Sequence, residues 1–279
     1  MNLKNTLKFV GNPKKYISDL VILHSKNRLE KITEREFLIP IDKTESQDVF
    51  IAGFPKSGNT WMQSLVAGLL YGIDTQYMPD KLAQEIVPDV HARKYYKRFG
   101  TINFFKTHHL PQPHYKKVIY LVRDGRDAMV SYYHFNQKLG IHVSMDKMIK
   151  EGKHVFPSKW HQHVQQWQNN PYNAEIITIR YEDLQEQPLI ELKKICEFVS
   201  IKRSDELLTK VIEGNRIDKM RARVKETGGM GNKMWTGNKG QEFFRKGKTG
   251  DYVKEMSPEQ IDYFNTDSAS ELKYFKYVL

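Results

Sequence analysis

Residues 48–70, DVFIAGFPKSGNTWMQSLVAGLL, decide the predicted fold. The stretch begins with an apolar, β-branched and aromatic run that predicts a buried strand, and it ends with a run that predicts a helix. Between the two runs, Gly53 and Gly58 have the outer spacing of a phosphate-binding loop. A nucleoside-triphosphate loop would continue with Lys and then Ser or Thr, but here Asn59 follows the second glycine and Lys56 lies inside the loop. The sequence therefore predicts a phosphate-binding loop whose lysine has moved.

Predicted strands and helices alternate along the chain. The strands cover 48–54, 101–108, 117–122 and 175–180, and the helices cover 60–71, 126–138, 159–168, 184–199 and 257–274. This alternation predicts an α/β fold with a central, mostly parallel sheet flanked by helices on both faces. We expect one domain over 1–279, with a core of 48–275 and the segment 1–47 packed on it. Ligands of such sheets bind at the carboxyl ends of the strands.

Composition narrows the class of protein. The 279 residues carry a net charge of +11 with 39% apolar residues and a mean hydropathy of −0.62, which is typical of a globular protein with an anionic partner. The net charge is compatible with several anionic partners: a nucleotide, a nucleic acid, a sulfated glycan or a membrane surface. The longest apolar run, 64–71, is too short to span a bilayer. A single cysteine, Cys196, excludes an intrachain disulfide, so we expect a reducing cytoplasm.

The loop itself predicts an anion site. Successive backbone N–H groups over 56–61, at the start of a helix, form a cradle for an anion, and Lys56 adds a mobile charge. Thr60 is a candidate phosphate ligand, while Trp61 suits either the core or stacking on a purine. No strand ends in an acidic residue suited to bind magnesium, so no metal is expected.

Three further segments carry candidate functional residues. FFKTHHLP, 104–111, sets Lys106 beside His108, a potential general base. YLVRDGRDAMVSYYHF, 120–135, offers Arg123 and Ser131 as a clamp for a second phosphate. The fourth segment, FFRKGKTGDY over 243–252, offers two cations and a glycine backbone: Arg245, Lys246 and Gly247. Taken one by one, each segment also fits an ordinary structural role.

The segment 213–250 differs from the rest of the chain. It holds eight glycines, many cations and few apolar residues. A mobile surface loop would have this composition, and so would a lid that closes on an anionic ligand. We favour the lid because cation-rich motifs surround it.

Together, these segments resemble the PAPS-dependent sulfotransferases of the cytosolic type. PKSGNTW is similar to the family's 5′-phosphosulfate loop P-K-S-G-T-T-W, and VIYLVRDGRDAMVSYYHF is similar to its 3′-phosphate motif. RKGKTGDY resembles R-K-G-x-x-G-D-W, KTHHLP resembles K-T-H-x-P, and RYEDL resembles a recurring Y-E-D. The matches follow the family's order from residue 50 to residue 251.

The resemblance implies a P-loop-like, nucleotide-kinase-like fold and a reaction. The donor would be 3′-phosphoadenosine 5′-phosphosulfate (PAPS), the product PAP, and the acceptor a hydroxyl or amine of a small molecule. The implied catalytic residues are His108, Lys56 and Lys106. The implied donor-binding residues are Lys56, Ser57, Gly58, Asn59, Thr60, Trp61, Arg123, Ser131, Tyr181, Arg245, Lys246 and Gly247.

Two segments depart from the family's pattern. KTHHLP carries one residue more than K-T-H-x-P, so the base is His108 or His109, and strand alternation favours His108. Because VKEMSPEQ lacks the dimer motif of animal relatives, we expect a monomer or a dimer formed by another route, with no nucleic acid and no membrane span. The alternatives are a P-loop nucleotide kinase or NTPase and a non-catalytic polyanion-binding protein.

Overall fold

The computed structural model describes residues 37–72, 80–227, 247 and 249–277. Much of the predicted N-terminal segment and most of the glycine-rich stretch therefore lie outside the described residues, as do Arg245 and Lys246. Contacts along the chain divide it into two units, the smaller made of 1–43 and 94–98 and the larger of 44–93 and 99–279.

A four-stranded parallel sheet forms the centre of the larger unit. Its strands are β2 (Val49–Gly53), β4 (Phe104–Thr107), β5 (Lys117–Val122) and β6 (Glu175–Arg180), in the order β4-β2-β5-β6. The pairing aligns Ala52 of β2 with Thr107 of β4 and with Tyr120 of β5, so the strands end at a common edge. All four predicted strands and the parallel sheet are confirmed.

Strand β2 lies between two neighbours and is buried along its whole length. Its side chains on both faces are apolar, the pattern of a parallel strand covered by helices on each side. Strand β4 ends at Thr107, so His108 is the first residue after the strand.

Helices connect the strands and follow them. They are α1 (Asn59–Tyr71), α2 (Asp80–Ile86), α3 (Gly125–Lys138), α4 (Met145–Glu151), α5 (Trp160–Asn169), α6 (Tyr181–Glu186), α7 (Pro188–Phe198), α8 (Asp205–Gly214), α9 (Ile217–Thr227), α10 (Tyr252–Glu255), α11 (Pro258–Asp267) and α12 (Ala269–Tyr274). Within the described ranges, none is both long and apolar enough to cross a bilayer.

The predicted bounds of two helices are wrong. The prediction over 184–199 joins what are two helices, α6 and α7, because Gln187 precedes a proline and adopts a non-helical φ of −133°. The prediction over 257–274 is likewise broken at Ser268, whose φ is −119°. Helix α9 lies inside the segment predicted as a lid, so its first part is helical.

The smaller unit contains one short antiparallel pair among its described residues. Strand β1 (Ile39–Pro40) pairs with β3 (Tyr95–Tyr96), and the Ile41 N–H donates to the Lys94 carbonyl. The Tyr96 hydroxyl also donates to the Lys43 carbonyl at 2.8 Å.

Candidate active site

A cavity of about 910 Å³ opens at the carboxyl edge of the parallel sheet. Nearly all the described residues of the predicted site line it: Lys56, Gly58, Asn59, Thr60, Trp61, Lys106, His108, Arg123, Ser131, Tyr181 and Gly247. Ser57 is fully buried behind them and does not line the cavity. Four sequence segments predicted separately therefore meet at one cavity.

The phosphate loop depends on two unusual backbone conformations. Lys56 has a φ of 72° and Gly58 a φ of 97°, both in the left-handed region. At Gly58 a glycine is required twice over, since a Cβ atom there would lie 2.6 Å from Cδ2 of Tyr181. These conformations turn the chain sharply from β2 into α1.

The start of α1 has the features of an anion site. No side chain of the described residues caps this helix, and its first turn contains no acidic residue. Ser57 Oγ and Asn59 Oδ1 are buried and have no hydrogen-bond partner among the described residues. N–H groups at an uncapped helix N-terminus suit a bound phosphate, whereas the Asn59 oxygen can only accept and cannot bind one.

Lys56 is held between two other parts of the site. Its Nζ atom lies 4.4 Å from the centre of the Phe135 ring on α3. Its backbone carbonyl accepts a hydrogen bond of 3.2 Å from Nη1 of Arg123, the residue that follows β5. The loop cation and the strand-end arginine are thus linked directly.

The ring of His108 is fixed by the loop. Its Nδ1 atom lies 2.8 Å from the Gly53 carbonyl oxygen, which can only accept, so Nδ1 carries the proton and Nε2 the lone pair. Nδ2 of Asn59 also lies 2.9 Å from this Nδ1 and donates its own protons to the carbonyls of Gly53 and Phe54. Burial of the ring, with Lys106 nearby, lowers the pKa of His108 to about 3. His108 is therefore neutral near pH 7.

His109 has a different environment. Its Nδ1 atom lies 3.1 Å from the Tyr115 hydroxyl, and its carbonyl accepts from Nε1 of Trp167 at 3.3 Å. It is not among the residues that line the cavity, whereas His108 and Lys106 both are.

Two residues near His108 were missed by sequence reasoning. The carboxylate of Asp89 lies 2.7 Å from Nζ of Lys106, and Nε2 of His91 accepts the backbone N–H of His108 at 2.9 Å. Both residues line the cavity. The stretch VPDVH gives no periodic or motif signal that would have selected them from the sequence alone.

At the other end of the cavity, aromatic and cationic groups pack together. The guanidinium of Arg123 lies 4.5 Å from the centre of the Tyr181 ring, and Trp61 meets that ring edge-on at 5.7 Å. Burial raises the pKa of the Tyr181 hydroxyl, which keeps it protonated. The Gly247 carbonyl accepts from Nε2 of Gln185 at 2.6 Å, so the described part of the RKG segment reaches the same end.

Asp127 holds the chain that follows Gly247. This buried carboxylate accepts the backbone N–H groups of Gly250 at 2.7 Å and Tyr252 at 3.0 Å. Because Asp127 lies in the first turn of α3, four residues after Arg123, it ties the late segment to the strand-end arginine. Among the described residues, no group of His, Cys, Asp or Glu is arranged to ligate a metal.

The fold and the site define an α/β enzyme with a P-loop-like anion site beside a neutral histidine. A profile described as the sulfotransferase domain matches residues 46–276. The chain therefore belongs to the sulfotransferase domain family, and the predicted family, fold class and enzyme class are confirmed. This membership decides against the nucleotide kinase and the non-catalytic polyanion-binding alternatives.

The chain is similar to characterised sulfotransferases at low identity. It is 25% identical to sulfotransferase 1 family member D1 of Mus musculus, over 81% of this chain and 83% of that protein. It is 26% identical to human sulfotransferase 1C2, over 80% of this chain and 82% of that protein. A crystal structure of retinol dehydratase in complex with androsterone and inactive cofactor PAP has the same fold, with a TM-score of 0.64, 20% identity, and coverage of 83% of this chain and 82% of that one.

Proposed function

We propose that this sulfotransferase moves a sulfuryl group from PAPS to a hydroxyl or an amine of a small-molecule acceptor and releases PAP. One observation carries the proposal. One cavity is lined both by the phosphate loop, with Lys56, and by Lys106 and His108. A phosphosulfate donor needs cations on its phosphates and a base at the acceptor, and this cavity supplies both.

The donor end fits a nucleotide with two separate phosphates. The start of α1 offers backbone N–H groups and the Thr60 side chain to the 5′-phosphate, while Ser57 lies behind the cavity lining and its N–H already donates to the Phe54 carbonyl at 3.1 Å. Arg123 and Ser131 also line the cavity and suit the 3′-phosphate, and Arg123 donates to the Lys56 carbonyl. We assign the same phosphate to Gly247, and also to Arg245 and Lys246, which lie outside the described residues.

The adenine fits the aromatic end of the cavity. Trp61 and Tyr181 present ring surfaces there, and Gly58 keeps the loop close to the Tyr181 ring. Ile217 lies against Gly247 and adds an apolar contact rather than a stacking one. This arrangement supports purine stacking on Trp61 and a contact from Tyr181.

The chemistry assigned to the chain's residues follows from their protonation states. His108, neutral with its lone pair on Nε2, takes the proton of the acceptor hydroxyl or amine. Lys106 stabilises charge on the sulfuryl group as the acceptor–sulfur bond forms. Lys56 neutralises the leaving phosphate, which keeps the electrons of the broken sulfur–oxygen bond. No metal enters this assignment.

The acceptor end supports a small amphipathic molecule. Tyr132, Phe135 and Phe156 line it together with Gln84, which provides apolar surface and a few polar groups. Retinol dehydratase holds androsterone in its complex. Because the two folds are similar, we propose a small-molecule acceptor for this chain as well. We further propose a cytoplasmic location and no nucleic-acid partner. We also propose a monomer, or a dimer built without the animal-type motif. Light scattering on the purified chain would check this oligomeric state.

Calorimetry and mass spectrometry test the proposed function. PAP should bind with an affinity that survives high salt, because a built pocket depends less on counterion release than a polyanion surface does. PAPS with EDTA and a mixture of phenols, alcohols, amines and sugars should yield a sulfated product. ATP with magnesium should yield no phosphorylated product. A chain that fails to bind PAP, or that turns over ATP with magnesium and not PAPS with EDTA, would refute the proposal.

A further inference from the structure

A short segment before β3 forms an extra edge beside β4. The Lys106 N–H donates to the Pro88 carbonyl at 2.9 Å, and the Val90 N–H donates to the Lys106 carbonyl at 3.0 Å. This parallel bridge sets Asp89 directly opposite Lys106. The side chains of Asp89 and His91 consequently line the cavity next to His108.

The Asp89 carboxylate connects Lys106 to His91 and, through His91, to His108. One oxygen lies 2.7 Å from Nζ of Lys106, and the two side chains are only 15% and 12% exposed. The other oxygen accepts the backbone N–H of His91 at 2.9 Å. His91 in turn accepts the backbone N–H of His108, so one carboxylate holds both neighbours of the candidate base.

We propose that Asp89 is a positioning residue of the transfer reaction, which holds Lys106 beside His108 and supplies the negative charge that offsets the imidazolium formed during proton transfer. The inference rests on the proposed function, in which His108 is the base. The step is balanced: the acceptor's proton goes to Nε2 of His108, the acceptor–sulfur bond forms, and the bridging sulfur–oxygen bond breaks with its electrons left on PAP. His108 returns the proton to solvent after product release.

The charges around His108 explain why a carboxylate is needed. The charged and titratable groups that act on the His108 ring are Lys106, Asp89 and His91, and the His91 ring stacks on it at 5.6 Å. Burial and Lys106 lower the pKa of His108, whereas Asp89 raises it. Proton uptake therefore puts a second cation beside Lys106 in a partly buried site, and Asp89 is the group that offsets the repulsion.

The test separates the charge of Asp89 from its shape. Asp89→Asn keeps the size of the side chain and one acceptor oxygen, for either Lys106 or the His91 N–H, but removes the charge, while Asp89→Glu keeps the charge with altered reach. Asp267→Asn is the matched control, because Asp267 also faces a lysine and a histidine, Lys159 and His161, and does not line the cavity. PAP affinity, thermal unfolding and single-turnover transfer from PAPS are measured for all of them.

Transfer is measured to two probes of different acidity, 4-nitrophenol and phenol, and to water as hydrolysis of PAPS, so that an acceptor is always present. For Asp89→Asn we expect PAP affinity within about threefold of wild type and transfer slowed by about 10- to 100-fold. The rate of transfer to phenol should fall more than the rate of transfer to 4-nitrophenol, because the less acidic phenol depends more on the base. The rate of PAPS hydrolysis should also fall by about 10- to 100-fold. Asp89→Glu should recover part of the rate, and Asp267→Asn should match wild type.

The outcomes separate the proposed function from the role of Asp89. A wild-type chain that binds no PAP would refute the proposed function and this inference with it. A wild type that binds and transfers, with an equally fast Asp89→Asn, would overturn this inference alone. Equal losses for every acceptor, with weaker PAP binding and a lower unfolding temperature, would show a structural role and also overturn it. Histidine NMR gives a second check, since loss of the Asp89 charge should lower the pKa of His91.

Discussion

Replacing each of the two adjacent histidines by alanine decides which one is the base. We expect His108→Ala to slow sulfuryl transfer strongly and His109→Ala to slow it little. His108 lines the cavity and its Nδ1 is held by the Gly53 carbonyl, whereas His109 contacts Tyr115 and does not line the cavity. A positioned general base contributes about 10²–10⁴ in rate, so that is the loss expected for His108→Ala.

The assay is single-turnover transfer with PAPS bound, and PAP affinity is the control. Because alanine at either position leaves the phosphate loop and Arg123 in place, both variants should bind PAP nearly as the wild type does. His109→Ala should lower the unfolding temperature slightly, since Nδ1 of His109 lies within hydrogen-bonding distance of Tyr115. A larger rate loss in His109→Ala than in His108→Ala would refute the assignment.

The pH dependence of the wild type gives an independent test of the same base. The pKa of His108 is lowered to about 3, so the ring is neutral and able to accept a proton at every pH above that value. The ratio kcat/KM for PAPS reports the free enzyme and should show no acid limb near the ordinary histidine value of about 6.5. The value of kcat/KM should begin to fall only below about pH 5, as the His108 ring starts to take up a proton. An acid limb near 6.5 that disappears in His108→Ala would contradict the buried environment described for this ring.

Three further substitutions test other parts of the site. Gly58→Ala should weaken PAP binding by about tenfold or more, measured by calorimetry, because a left-handed φ costs about 1–2 kcal/mol and the new Cβ meets Tyr181; unchanged affinity would refute the close approach. Arg123→Ala should lose PAP affinity at high as well as low salt, and a loss confined to low salt would contradict a specific phosphate contact. Asp127→Ala should lower the free energy of unfolding by about 2–4 kcal/mol in urea, since two backbone N–H groups lose their acceptor, and a change below about 1 kcal/mol would refute that role.

The parts of the fold that could be read from the sequence are those where one residue pattern has one structural solution. The strand at 48–54 and the loop glycines are local signals, since burial on both faces demands an apolar run and the tight turn demands Gly58. Helix ends were less readable. Pro188 lies in an apolar periodic stretch that continues across it, so the break between α6 and α7 is invisible to periodicity.

The contacts around the base could not all be predicted from the sequence, for a different reason. Lys106 and His108 belong to a strand end and could be paired from alternation alone, but Asp89 reaches them from 17 residues earlier in the chain. Its position is set by a backbone bridge to β4 rather than by any side-chain pattern. Sequence reasoning pairs residues within an element, whereas this contact depends on how two elements meet.

The displaced lysine of the loop has a structural consequence for its neighbours. A lysine after the second glycine would project from the first turn of α1, whereas Lys56 precedes Gly58 and adopts a left-handed φ of 72°. That conformation turns its carbonyl to Arg123 and its ammonium to the Phe135 ring. Arg123 packs on Tyr181, the same ring that a side chain at residue 58 would strike. The proposed contacts for the 5′-phosphate, the 3′-phosphate and the adenine therefore form one connected set. A change of conformation at Lys56 would therefore disturb all three proposed contacts at once.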